Sequence, residues 1–130
     1  MKEYKEFNTA LKKLREVYLF EKPYEDMVIA GIAAFYKVCA ERARNLMKKI
    51  LKDRGYPSGD IEYSRQMLRA AYRAGMIREE KMWLAALEAE KCNLWLEDSR
   101  AAEVFINDIK EQFCPLFCEL EKEIGMNWIK

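Results

Sequence analysis

The sequence predicts an all-α fold, an antiparallel up-and-down bundle of about five helices around a four-helix core. Helix formers (Ala, Leu, Glu, Lys, Arg, Met) dominate the 130 residues, which include only 5 glycines and 3 prolines. Apolar residues recur at spacings of three and four, while strand-type alternation and the Asn-Gly or Asp-Gly turns of hairpins are missing. The breaks are few and brief, so successive helices should return on one another. With 51% hydrophobic residues the chain can fill a core of its own, and residues 1–130 read as a single domain without internal repeats.

The first helix is expected over about Lys2 to Phe20, with Phe7, Leu11, Leu14 and Tyr18 on one face. Pro23 suits the first turn of the second helix, where Glu25 and Asp26 would complement the N-terminal dipole. From there Val28, Ile32, Phe35, Cys39, Ala43, Leu46 and Ile50 keep the helical period to about Arg54, making this the central, most buried helix. Gly55-Tyr56-Pro57-Ser58-Gly59 stops it. Asp60 is a candidate N-cap for a shorter third helix ending near Gly75, with Ile61, Leu68, Ala71 and Tyr72 inward. The fourth helix is expected from about Glu79 to Leu96 with Trp83, Leu87 and Leu94 on one side. Asp98 or Ser99 should cap the last, whose stripe runs Ala102, Phe105, Ile109, Phe113, Leu116, Leu120, Ile124. Pro115 falls inside it, and an interior proline costs about 3 kcal/mol, so a kink or break is expected near Phe113.

Composition excludes several chemistries. The chain has no histidine, so imidazole acid/base work, His-ligated metal and Ser-His or Cys-His pairs are closed to it. Cys39, Cys92, Cys114 and Cys118 show no metal-type spacing and read as reduced, packed thiols. No cofactor or metal site is expected. The longest apolar stretch, Met27 to Tyr36, is far short of a membrane span, and the N-terminus lacks a signal-like apolar region, which leads us to expect a soluble, cytoplasmic protein. The net charge is only +1, but basic residues prevail from Lys37 to Lys81 and acids from Met82 onward. Such asymmetry suits a charged partner or a second copy, although solvated helix faces explain it more simply.

Phe7 to Leu14, the run Lys48-Lys49-Ile50-Leu51-Lys52-Asp53-Arg54-Gly55, Leu68 to Ile77, Trp83-Leu84-Ala85-Ala86-Leu87-Glu88 and the Phe113 to Ile124 stripe together resemble the HEPN superfamily, in its nucleotidyltransferase substrate-binding branch. The order and spacing of these pieces carry the resemblance, and it covers most of the chain. It implies a small helical bundle that forms homodimers and pairs with a separate minimal nucleotidyltransferase, often encoded beside it. Many HEPN relatives are ribonuclease toxins with an Arg-x(4 to 6)-His motif and a following tyrosine. Aligned on the Trp-Leu-x-x-Leu stretch, the arginine position falls at Glu90, the histidine at Trp95 and the tyrosine at Glu97. Glu90 repels phosphate and Trp95 titrates nothing, so the cutting chemistry is not expected here.

The resulting expectation is a non-catalytic docking subunit that helps present a substrate, with Glu90, Trp95 and Glu97 as candidate contact residues, in a module of toxin-antitoxin type. A solvated acidic helix end is the simpler reading of Glu88, Glu90, Glu97 and Asp98 than a carboxylate or divalent-ion site. An alternative is an RNA-binding or ribonuclease-related relative using non-standard residues. Arg65, Arg69 and Arg73 repeat every four residues on one face and, with Arg42, Arg44 and Lys48, could track phosphates or make ordinary contacts with acids. The broad apolar faces of the second and last helices predict a homodimer.

Overall fold

The computed structural model describes residues 1–129. Its helices are α1 (Lys2–Leu14), α2 (Asp26–Asp53), α3 (Ser64–Arg73), α4 (Glu80–Lys91), α5 (Ser99–Asp108) and α6 (Cys114–Asn127). A π turn at Ile109–Phe113 fuses α5 and α6 into one rod, which gives five rods in all and no strand among the described residues. The four-helix core consists of α1, α2, α4 and the α5–α6 rod. Arg42 of α2 donates to the Glu6 carbonyl at 3.0 Å, while the other end of α2 meets Leu14 and Val17, so α1 and α2 run antiparallel. Likewise Tyr4 reaches Glu121 and Tyr18 reaches Lys110, which sets α1 against the last rod in the opposite sense.

The centre belongs to α2, which packs against α1, α3, α4 and α5. Leu46 and Met47 are completely buried, and burial of such side chains contributes roughly 1.5–3 kcal/mol each. Tyr36 is buried as well, its ring 5.4 Å from Phe105, 5.6 Å from Phe113 and 5.9 Å from Phe117. Its hydroxyl donates to the Ala86 carbonyl at 2.6 Å, and burial pushes the phenol far up, so it remains a neutral donor.

Two glycines do what the sequence suggests. Gly55 (φ 97°) and Gly75 (φ 83°) end α2 and α3 in left-handed backbone. In each case the next amide returns to the third-last helical carbonyl, Tyr56 to Leu51 and Met76 to Ala71.

The ends of the helices depart from expectation for identifiable reasons. Pro23 precedes α2 rather than opening it: Lys110 holds Tyr24, donating to its hydroxyl at 3.0 Å, and the chain turns helical only at Asp26, after Glu25. Asp60 sits in a 3₁₀ turn and Tyr63 takes the N-cap position of α3, where Gln66 bonds back to the Tyr63 amide. α4 stops at Lys91 because Cys92 is extended, leaving Leu94 64% exposed in a 3₁₀ turn instead of on the helix face. Asp98 caps α5, one carboxylate oxygen accepting from Arg100 and Ala101. Phe35 and Tyr72 stay 43% exposed, each on a helix with another face already buried.

The expected break near Phe113 is a widening. The Cys114 amide bonds to the Ile109 carbonyl, five residues back, and so leaves the Lys110 carbonyl without its α-helical donor. The Tyr18 hydroxyl fills the vacancy at 2.6 Å. Pro115 then enters at the start of α6, where its missing N–H costs least. This arrangement also explains Tyr18: the 3₁₀ turn Arg15–Leu19 swings it out of the α1 stripe, and it is 48% exposed.

Candidate functional site

The residues singled out in the sequence separate into three neighbourhoods. Glu90, near the end of α4, turns toward α2 and forms a two-pronged ion pair with Arg44, at 2.5 Å and 3.1 Å. Both side chains are mostly buried, 17% and 19% exposed. Each charge therefore has its partner inside the fold, and Glu90 is a counter-ion to Arg44 before it is anything else.

The arginine face of α3 is largely committed in the same way. Arg65 pairs with Glu88, and Arg69 pairs with Glu80 at 2.7 Å, so α3 is riveted to α4 by the acids of the latter. Arg73 lies beyond this seam, exposed and without an ion pair among the described residues. A continuous phosphate-tracking stripe is thus reduced to its last member.

Trp95 lies apart from Glu90, in the 3₁₀ turn Leu94–Leu96, and Glu97 is exposed just after it. Trp95 is one wall of an open groove of about 400 Å³ that also takes in Leu94, Asp98, Val104, Phe105 and Asp108. The opposite wall belongs to α5, where Ala101, Phe105 and Asp108 share a face at spacings of four and three. The indole Nε1 of Trp95 is buried without an acceptor among the described residues. Such a donor costs about 1–3 kcal/mol, so the ring is held there by packing alone. Burial raises the Asp108 carboxyl above the usual range, and Glu111 adds to the shift.

Two further surfaces lie outside these three neighbourhoods. Tyr18, Tyr24, Lys22, Arg100 and Lys110 line a cleft of about 590 Å³ between the loop before α2 and the α5–α6 rod, with Glu21 and Glu103 among them. Its members are some ninety residues apart in sequence, so no local pattern announces it. The second is an apolar groove of about 300 Å³ between the Arg15–Leu19 turn and the start of α2, including Val17, Phe20, Met27, Gly31 and Phe35. Met27 stands 83% exposed there, at the start of the longest apolar stretch of the sequence.

The thiols are all free, with Cys39 and Cys114 buried. Cys114 donates toward Cys118, which brings the Cys118 thiol down to about 6 and pushes Cys114 up. Among the described residues no group of three or more Cys, Asp or Glu side chains is arranged to hold a metal ion. No helix of the described residues is long and apolar enough to cross a membrane.

The family described as nucleotidyltransferase substrate binding protein like matches residues 2–125. The chain belongs to that family. The match spans every helix from α1 to the last turns of α6 and is consistent with a place in the HEPN superfamily. No curated protein matches the chain. The family's description indicates a binding role toward a nucleotidyltransferase substrate, which directs attention to grooves rather than to catalytic clusters in this member.

Proposed function

We propose that this chain is a non-catalytic subunit that docks a separate minimal nucleotidyltransferase and holds the molecule to be modified. The observation that carries this reading is the state of the motif positions. Glu90, where HEPN nucleases place their arginine, is neutralised by Arg44, and Trp95, at the histidine position, forms the wall of an open groove. A residue that braces and a residue that binds, in this reading, stand where two that would cut are aligned. In this reading the Trp95 groove receives the substrate, and the exposed apolar face around Met27, Phe35 and Val38 packs against protein.

That face is the homodimer seam of the proposal. Met27, Ala30, Ala34 and Val38 are exposed at spacings of three and four along α2, and the small Ala30 and Ala34 would let a second copy of the helix approach closely. The partner enzyme would then dock at the Trp95 end, in a two-gene module of toxin-antitoxin type. The RNA-binding alternative is weakened by the ion pairs of Arg65 and Arg69.

The test is co-expression with a small nucleotidyltransferase encoded in the adjacent reading frame, followed by size-exclusion chromatography with light scattering. A stable complex containing two copies of this chain is expected, with Ala34→Arg dissociating the dimer. Separate elution of the two proteins at micromolar concentration would refute docking, and a 15.4 kDa monomer would refute the seam.

A further inference from the structure

We propose that the Trp95 groove is a site for a small organic amine, a cationic nitrogen carried on an apolar skeleton. The inference rests on the reading of this chain as a substrate-holding subunit and supplies the chemical class of what is held. The groove, about 400 Å³, lies within the range of small-molecule sites. Its walls are two aromatic rings, Trp95 and Phe105, with Leu94, Ala101 and Val104 between them. The Phe105 wall is stiff, because its ring stands edge-on to buried Tyr36 at 5.4 Å and 90°.

The charges in this apolar lining are unequal. Asp98 uses only Oδ1 in capping α5, and its other oxygen has no partner among the described residues. Asp108 has neither a hydrogen bond nor an ion pair among them, although its surroundings already disfavour its charge. The two carboxylates sit at opposite ends of α5, ten residues and so about 15 Å apart along the axis. The one cation is Arg100, exposed at the mouth and shared with the neighbouring cleft. An anionic ligand would face two carboxylates, and a neutral apolar one would bury them further. An ammonium group instead relieves Asp108, sits against aromatic faces that attract cations, and lets its carbon skeleton cover Leu94 and Val104.

The experiment titrates the isolated chain with 3-phenylpropylamine, 3-phenylpropanol and 3-phenylpropanoate, which share a ring and a three-carbon chain but carry positive, no and negative charge. Amide shifts in a ¹⁵N-resolved spectrum and isothermal calorimetry are the readouts. Saturable binding of the amine is expected, with shifts confined to residues 89–108 and affinity reduced about tenfold in Asp108→Asn. Asp98→Asn, which keeps a capping side chain, should weaken binding less. Absence of saturation by about 10 mM, equal binding of the uncharged or anionic analogue, or an unaltered affinity in both aspartate variants would overturn the assignment. Because no enzyme is present, failure here with an intact enzyme complex removes only the amine class, and the converse removes only the docking.

Discussion

Replacing Glu90 by alanine tests whether that residue is a brace. The substitution strands the Arg44 guanidinium, 19% exposed, beside the apolar surface formed by Ala40, Leu68, Ala86 and Phe117. Removing one partner of a fully buried pair costs about 3–5 kcal/mol, while exposed pairs are worth about 0–1 kcal/mol. A pair with most of its surface covered and two converging hydrogen bonds should fall between, at about 2–3 kcal/mol. With a urea dependence of roughly 1.5 kcal/mol per molar, the unfolding midpoint should drop by about 1.5 M. Glu90→Arg should cost at least as much, since it sets two guanidinium groups face to face, and the double exchange Arg44→Glu with Glu90→Arg should recover most of the loss. The assay is urea unfolding followed by circular dichroism on the four proteins. A midpoint shift under about 0.3 M for Glu90→Ala, or no recovery in the exchange, would refute the role assigned to the pair and return Glu90 to the list of residues free to act on a ligand.

Trp95→Phe removes a buried N–H that has no acceptor along with part of a ring, so the two effects oppose and the unfolding free energy should change by less than about 1 kcal/mol; a loss above about 3 kcal/mol would mean that the indole is a core element. The Cys118 thiol, brought down to about 6 by Cys114, should alkylate at a lower pH than an ordinary cysteine, whose usual value is about 8.5. Cys114→Ala should move the alkylation profile upward, and mass spectrometry of iodoacetamide-treated protein at stepped pH checks both points. Tyr18→Phe deprives the Lys110 carbonyl of its donor and should cost about 1–2 kcal/mol in the same urea assay.

The periodicity of apolar residues disclosed the helices and most of the buried positions, because burial on one face imposes that spacing whatever the partners are. Phe7, Leu46, Leu68, Trp83, Ile109 and Leu120 are inside for that reason. Where a long-range bond competes with the local period, the reading fails. Tyr18 fits the α1 stripe by spacing yet goes to the Lys110 carbonyl, and Pro23 fits a helix start yet stays outside while Lys110 holds Tyr24. The candidate site was half legible: Trp95 and Asp98 stand in one short stretch, but Phe105 and Asp108 join them only through the face that α5 presents. That Glu90 meets Arg44 could not be read from residues 46 positions apart. The arginines at 65, 69 and 73 looked like one stripe because helical spacing says which residues share a face and is silent on the acids of the facing helix.

The wide turn at Ile109–Phe113 has a bearing on how the helix could be edited. A five-residue loop of this kind carries one residue more than an α turn, so the stripe after it keeps facing the core only because the surplus is absorbed there. Shortening the chain by one exposed position, such as Gln112, would restore an ordinary turn while leaving the sequence on either side in phase. It would also return Pro115 to the interior of a regular helix, where its ring meets the carbonyl four residues back. The deletion alone should therefore be harmful, yet combined with Pro115→Ala it should be accepted, a place inside a buried rod where the length of the chain is negotiable.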